Sequence, residues 1–122
     1  MTVLSKIRLN HKVANKTWFG TGGNARIFFS PDNESELSLF LKFLPKRIPI
    51  FCLGLGSNIL IRDGGFNGAM IRLGNGFKYI NQEKNKKILT LGCATKDLDC
   101  ANYCLINSIT GFEFLIGIPG TI

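Results

Sequence analysis

The chain has 122 residues, a formal net charge of +7 at pH 7 and an apolar fraction of 45%. This length allows one domain at most, and the apolar content argues against an intrinsically disordered chain. A nucleic-acid-binding protein is not favoured, because the basic residues are scattered and the aromatic residues fall at core-like positions rather than between them.

Cysteine and histidine spacing argues against a metal site. The single histidine is His11, and the cysteines form no Cys-x-x-Cys pair. All four cysteines are predicted to be buried, reduced thiols; they are Cys52, Cys93, Cys100 and Cys104. The sequence shows no signal peptide and no apolar run near about 18 residues, so a cytoplasmic location without membrane association is predicted.

The first half of the chain predicts a strand, a helix and a second strand. Residues 1–14 carry mixed charge and are interpreted as an irregular or short helical lead-in. A glycine-rich turn then precedes a strand at residues 25–29. We interpret that turn as packing under Trp18; alternatively, Thr21 within it donates a hydrogen bond to a ligand.

Helix signals follow the first strand. Asn33 and Glu36 have capping-box spacing. An apolar stripe at 3.6-residue periodicity comes next, and Pro45 ends the helix; the stripe consists of Leu37, Phe40, Leu41 and Leu44. A strand at residues 48–53 then completes a βαβ unit.

The loop at residues 54–58, Gly-Leu-Gly-Ser-Asn, is the most informative stretch of the chain. It separates the strand at 48–53 from a second apolar run, residues 59–61, which we also interpret as a strand. Its two glycines allow positive φ and close approach of a ligand, and successive N–H groups can converge on a phosphate or pyrophosphate. A β-turn in which the glycines serve geometry alone is the alternative. Because position 59 is Ile and no Gly-Lys-Ser/Thr follows, the dinucleotide fingerprint and the P-loop are both excluded.

The second half predicts an antiparallel meander followed by a helix. The three strands are residues 69–73, 77–80 and 88–92, and the basic cluster Lys84, Lys86 and Lys87 is interpreted as a solvated hairpin turn. Thr95 is predicted to cap the helix, which ends near Asn107; its apolar face is predicted to be Leu98, Ala101 and Leu105. The glycine-punctuated apolar run at 110–122 has no capping residues, so we expect the chain to stop in the middle of a domain.

Several of these stretches together resemble the MurB family, the UDP-N-acetylenolpyruvoylglucosamine reductases of peptidoglycan synthesis. They occur in order from about residue 15 and span nearly the whole remaining chain; they are Asn15–Phe19 with Gly22-Gly23, Pro49 through Gly54–Leu60, Arg62–Gly65, Gly92–Ala94, and Gly111–Thr121.

The resemblance implies an α+β FAD-binding domain of the vanillyl-alcohol oxidase and p-cresol methylhydroxylase type, incomplete at its carboxyl end. Residues 1–14 would be a lead-in segment and residues 15–122 the amino-terminal part of that domain, with the substrate domain absent. The implied diphosphate-binding residues are Gly54, Gly56, Ser57 and Asn58, with Ile59 beside them. The implied opposite wall is Gly117, Ile118, Pro119, Gly120 and Thr121, with Gly92 and Ala94 as further cofactor contacts.

The resemblance also implies an activity in cell-wall biogenesis, cell shape and cell division. NADPH would reduce FAD, and the reduced flavin would reduce a UDP-sugar enolpyruvyl ether to UDP-N-acetylmuramate. The catalytic Ser, Arg and Glu of the family match no position here, so no catalytic residue is predicted; neither Ser57 nor Glu113 takes those roles. We therefore expect the chain alone to be inactive and to bind FAD weakly or not at all, unless a separate chain supplies the rest. The alternative is a truncated or split-gene product that acts only as a flavin- or partner-binding module.

Overall fold

The computed structural model describes residues 3–83 and 88–122. The chain folds into two compact units, one ending at Gly74 and one running from Asn75 to Ile122. The first contains a mixed sheet with a helix, and the second contains a β-hairpin with a helix. The predicted α+β class is confirmed. The predicted turn at Lys84, Lys86 and Lys87 lies outside the described residues.

The first unit is built on a four-stranded sheet. Its strands are β1 (Ile7–Lys12), β2 (Asn24–Phe29), β3 (Ile50–Cys52) and β4 (Phe66–Ile71), and its helix is α1 (Glu34–Phe43). The spatial order is β1-β2-β4-β3, with β1 antiparallel to β2 and with β4 parallel to both β2 and β3. The predicted βαβ unit is therefore confirmed, but β4 lies between its two strands.

Three sequence predictions about this unit are wrong. The lead-in begins with a short 3-10 helix at Val3–Lys6, as predicted, but it also contains the edge strand β1, which apolar alternation does not indicate because Leu9 is exposed. Residues 59–61 form no strand; Ile59 and Ile61 instead pack into a core cluster with Val13 and Leu53. Residues 66–71 form the central parallel strand rather than part of a meander. The domain boundary at residue 14 stays a prediction.

Local signals place helix α1 correctly. The Asn33 side-chain oxygen accepts a hydrogen bond from the Glu36 amide at 2.9 Å, as the capping box predicts. Phe40 is buried and its ring stacks on Phe29 of the sheet, with 4.3 Å between the ring centroids. Leu41 is exposed, so the buried stripe is narrower than predicted.

An ionic cluster joins α1 to the segment before β1. The Lys6 ammonium donates to Asp32 at 2.8 Å and to the two Glu36 carboxylate oxygens at 2.7 and 2.8 Å. The hydrogen bonds from Lys6, first to Asp32 and then to Glu36, raise the pKa of Lys6. The hydrogen bond from Lys6 lowers the pKa of the Glu36 carboxyl.

Lys6→Met is expected to lower the melting temperature at pH 7, where Lys6 is cationic and both carboxylates are charged. The contribution of Glu36 is present above its unfolded pKa and is lost as the pH falls through its lower folded pKa. The difference in melting temperature from the parent should therefore shrink under acid. Lys42→Met, an exposed change on α1, is the control. An equal loss for both variants would contradict the role of Lys6.

The second unit contains the strands β5 (Ile80–Glu83) and β6 (Ile88–Leu91) and the helix α2 (Asp97–Ile106). β5 and β6 pair antiparallel, which confirms the predicted hairpin. Phe77, predicted to begin a strand, instead ends a 3-10 turn at Asn75–Phe77 and is buried.

Helix α2 buries only Ala101 of the three residues predicted for its apolar face. Its buried residues are Asp97, Cys100, Ala101 and Cys104, whereas Leu98 and Leu105 are exposed, Leu105 by 74%. Leu115 and Phe112 pack against the cysteine face. Burial of the Cys100 thiol, with the neighbouring Cys104, raises the pKa of Cys100.

The predicted Thr95 cap is also wrong. Lys96 occupies the N-cap position of α2 and makes no side-chain capping hydrogen bond. The Thr95 hydroxyl instead donates to the Tyr79 carbonyl oxygen at 3.1 Å and accepts from the Tyr79 amide at 3.2 Å. Thr95 thus joins the segment that precedes α2 to the segment that precedes β5.

Exposure corrects two further predictions. Cys52 and Cys93 are exposed thiols, and only Cys100 and Cys104 of the four cysteines are buried. Trp18 and Phe19 are exposed by 66% and 60%, so no turn packs under Trp18. Trp18 and Phe19 do not occupy the core-like positions predicted for the aromatic residues, and the absence of nucleic-acid binding stays a prediction.

Candidate functional site

The loop at residues 54–58 follows the carboxyl end of β3, as predicted. Leu53 is buried, and its amide donates to the Ile71 carbonyl oxygen of β4 at 2.8 Å. This bond continues the parallel pairing of β3 with β4 up to Leu53, the residue before the loop. The carboxyl ends of parallel strands are where open α/β sheets bind their ligands.

Gly56 fixes the shape of this loop. Its φ is +74°, it is buried, and its carbonyl oxygen accepts a hydrogen bond from the Trp18 amide at 2.8 Å. A Cβ at position 56 would overlap the Lys16 carbonyl oxygen and lie 3.0 Å from the Thr17 Cα. Glycine is therefore required here both for its conformation and for close packing against Lys16 and Thr17.

Thr17 holds the segment against which Gly56 packs. Its buried hydroxyl donates to the Ala14 carbonyl oxygen at 3.1 Å and to the Thr21 carbonyl oxygen at 3.3 Å. The Thr21 side chain is exposed. The alternative in which Thr21 donates to a ligand stays a prediction.

The backbone amides at the front of the loop are available to an anion. Among the residues that the structure describes, none accepts a hydrogen bond from the amides of Gly54, Leu55 or Gly56. Asn58 is exposed at the end of the loop, and Ser57 is half-buried. These amides, with the Asn58 side chain, form the kind of donor cluster that binds phosphate.

Ile59 anchors the loop on its far side. It is partly buried and packs against the core cluster that contains Leu53 and Ile61. The loop thus combines a base fixed by Gly56 and Ile59 with two exposed residues, Gly54 and Asn58, that carry donor groups.

The second predicted set lies in the second unit. The segment 118–122 runs beside the start of α2, where the Asp97 amide donates to the Gly120 carbonyl oxygen at 3.2 Å and the Ile122 amide donates to the Thr95 carbonyl oxygen at 3.1 Å. Thr121 bridges Lys96 in an antiparallel pair. A Cβ at Gly117 would meet open space, so the backbone there is accessible to a ligand.

Gly92 and Ala94 have structural uses of their own. Their amides donate at 2.9 Å to the carbonyl oxygens of Tyr79 and Phe77, respectively. A Cβ at Gly92 would overlap the Phe77 carbonyl oxygen. A role for these two residues in cofactor binding stays a prediction, and their amides are already used.

A family model described as "FAD binding domain" matches residues 25–122. The chain belongs to this family of FAD binding domains. The matched range contains every cofactor-binding residue predicted from the sequence, from the loop at 54–58 to Thr121.

The most similar relatives share one name. This FAD binding domain is 47% identical over 117 residues to the UDP-N-acetylenolpyruvoylglucosamine reductase of Orientia tsutsugamushi strain Boryong, covering 94% of this chain and 39% of the relative. It is 43% identical over 120 residues to the reductase of the same name from Rickettsia typhi, covering 98% and 40%. The chain therefore spans about two fifths of the length of the curated relatives it matches.

A solved structure agrees with these relatives. The crystal structure of UDP-N-acetylenolpyruvylglucosamine reductase (MurB) from Thermus caldophilus matches with a TM-score of 0.71 and 25% sequence identity, covering 94% of this chain and 38% of that one. The resemblance inferred from the sequence motifs is thus confirmed, and the fold matches that of part of a MurB enzyme.

The residues of this FAD binding domain fit the cofactor at the loop. The amides of Gly54, Leu55 and Gly56 have no hydrogen-bond acceptor among the described residues, and no carboxylate lies within the segment 54–59. Hydrogen bonds from these amides to a diphosphate stay a prediction. Loop residues 54–59 belong to the first unit and residues 92–94 and 117–121 to the second. That the two sets face one another across a cofactor stays a prediction.

The partners that hold Gly56 were not predicted from the sequence. Lys16, Thr17 and Trp18 belong to a motif that supports the resemblance, but the only role predicted among them was that of Trp18 as cover for the glycine-rich turn. These residues are distant from Gly56 in the sequence, so no local pattern indicates their contacts with it. The signal that could have found them is the pairing of a Gly-x-Gly loop with a second polar turn rich in glycine.

The described part of the chain shows no group of three or more His, Cys, Asp or Glu side chains arranged for a metal ion. Burial, with Arg8 and Lys16 nearby, lowers the pKa of His11, and its ring packs on Phe28 at 4.8 Å. Within residues 3–83 and 88–122, no helix is long and apolar enough to cross a membrane.

Proposed function

We propose that this chain is the amino-terminal flavin-binding part of an NADPH-dependent reductase that converts UDP-N-acetylglucosamine enolpyruvate to UDP-N-acetylmuramate. The observation that carries the proposal is the loop at 54–58, whose accessible amides lie at the end of a parallel strand. The shared name of the relatives supports the substrate class. Peptidoglycan synthesis in the cytoplasm is the setting that this reaction implies.

The roles of the residues follow from their positions. Gly54, Leu55 and Gly56 bind the diphosphate through their amides, Asn58 donates from its side chain, and Gly56 keeps the loop in place. Bound FAD supplies the hydride-transfer chemistry. This chain binds and orients the FAD. The groups that bind the UDP-sugar and transfer a proton to it belong to the part of the enzyme that is present in the longer relatives.

Asn58→Asp is expected to weaken FAD binding about tenfold, because a carboxylate replaces a donor beside the diphosphate. Binding is measured on the 122-residue chain by ¹H-¹⁵N NMR titration with FAD, which detects weak affinities. The amides of Gly54–Asn58 should shift and saturate. Asn75→Asp, an exposed change in the second unit, is the charge-matched control and should bind like the parent. If the amide signals of Gly54–Asn58 do not shift at any FAD concentration, the proposal is contradicted.

The chain without the rest of the enzyme is proposed to be inactive. Oxidation of NADPH by the FAD-saturated chain, with the enolpyruvyl substrate present, should not exceed that of free FAD. Turnover above that background would show that the catalytic groups lie within these residues.

A further inference from the structure

A cleft of about 650 Å³ opens on the first unit, away from the loop residues 54–58. We name it the Arg26 cleft after its one charged side chain. Its lining residues used below are Asn10, Asn24, Arg26, Gly64, Phe66 and Asn67. None of these residues has a role in the proposed function.

The sheet is irregular at this cleft. β1 and β2 keep one register from Ile7–Phe29 to Lys12–Asn24, which places Asn10 opposite Arg26. The register of β2 with β4 shifts between Ala25 and Ile27, where Arg26 lies opposite two residues of β4, Asn67 and Gly68. A bulge of this kind turns a side chain away from its regular direction, and bulges are frequent beside binding sites.

Asn10 adds a second irregularity at the same place. Its φ is +49°, in the left-handed region that side-chain-bearing residues rarely adopt. The Asn10 side-chain oxygen accepts a hydrogen bond from the Asn24 side-chain nitrogen at 3.1 Å. The Asn10 oxygen is engaged in this way, and the Asn10 side-chain nitrogen can act only as a donor in the lining of the cleft.

The chemistry of the lining selects an anion. Arg26 is exposed, and within the described residues no carboxylate lies at ion-pair distance from it. The lining contains three side-chain amides and no acidic residue. A guanidinium presents a fork of donors that matches the oxygens of a carboxylate or phosphate group.

We propose that the Arg26 cleft binds a small oxyanion, the carboxylate or phosphate group of a ligand distinct from FAD. Arg26 pairs with the anion, Asn10 and Asn67 donate hydrogen bonds beside it, and Phe66 forms an apolar wall. Gly64 leaves room at the rim, since a Cβ there would have no atom within 4 Å.

The test is an NMR titration of the 122-residue chain with inorganic phosphate and, separately, with sodium acetate, at constant ionic strength set with sodium chloride. The Asn10, Arg26 and Asn67 signals should shift and saturate. Saturation by phosphate alone identifies a phosphate ligand, and saturation by acetate alone identifies a carboxylate. Shifts at these residues that rise linearly, or that chloride reproduces, overturn the proposal.

Two variants locate the binding. Arg26→Gln should weaken the anion affinity about tenfold or more. Arg47→Gln, which removes an exposed arginine outside the cleft, should leave that affinity unchanged. Gly64→Leu should also weaken binding by filling the rim, and its spectrum away from the cleft shows whether the fold is intact. Parent-like affinity in Arg26→Gln overturns the proposal.

This titration and the FAD titration are independent. Shifts confined to Gly54–Asn58 on adding phosphate would overturn the Arg26 cleft while leaving the proposed function standing. Saturating shifts at Asn10 and Arg26 on adding phosphate or acetate, with no response of residues 54–58 to FAD, would support the Arg26 cleft and overturn the proposed function.

Discussion

Gly56→Ala is expected to lower the free energy of unfolding of the first unit by about 3 kcal/mol, adding the strain of an L-residue at positive φ to overpacking. The φ of Gly56 is +74°, and a Cβ there would overlap the Lys16 carbonyl oxygen. Lys16 and Gly56 must separate to admit the methyl group, so the loop should also lose its response to FAD. Urea unfolding followed by the fluorescence of Trp18, the single tryptophan, measures the effect within this unit.

Gly64→Ala is the matched control for that change. Gly64 lies in the same unit, and an added Cβ would find no atom within 4 Å. Its effect should stay within about 0.5 kcal/mol, as for most surface substitutions. If Gly56→Ala is no more costly than Gly64→Ala, the close packing of the loop on Lys16 and Thr17 is wrong.

Phe29→Ala should cost about 3–5 kcal/mol, the range for an aromatic side chain removed from a core. Phe29 has no exposed surface, and its ring stacks on Phe40 between the sheet and α1. A loss of this size is a large share of the stability of a small domain, so the first unit should unfold at much lower urea concentration. Circular dichroism at 222 nm, alongside Trp18 fluorescence, follows the transition.

Phe43→Ala provides the comparison on the same helix. Phe43 is 73% exposed at the last residue of α1. Its removal should change the stability of the first unit by no more than about 0.5 kcal/mol. Equal losses for Phe29→Ala and Phe43→Ala would mean that α1 does not cover the sheet as described.

Features that depend on neighbouring residues could be predicted from the sequence. Asn33 and Glu36 place the start of α1, Pro45 follows its end, and the apolar run at residues 88–91 is the strand β6. The partner strand was predicted at residues 77–80 but lies at Ile80–Glu83, which is polar after Ile80. The loop at 54–58 was found for the same reason, since glycine spacing and the preceding apolar run are both local. The amides of Gly54, Leu55 and Gly56 have no acceptor among the described residues, and their binding of an anion stays a prediction.

Features that depend on distant partners could not be predicted. The prediction for the buried face of α2 was wrong at Leu105. Leu115 and Phe112 pack against the smaller Cys100 and Cys104, and Leu105 is exposed to solvent. β1 has exposed apolar residues, so alternation does not indicate a strand that pairing with β2 creates. The contact of Gly56 with Lys16 also depends on a distant partner, and so does the shift in register where Arg26 of β2 lies opposite Asn67 and Gly68 of β4.

The strand order has a consequence for the synthesis of the chain on the ribosome. β4 is the last strand of the first sheet to be translated, yet it lies between β2 and β3, and β3 pairs with β4 alone among the described strands. Until Ile71 has left the exit tunnel, a nascent chain can form the β1-β2 pair and α1 but has nothing to hold β3. The loop that follows β3 therefore acquires its shape late, in the same step that closes the sheet.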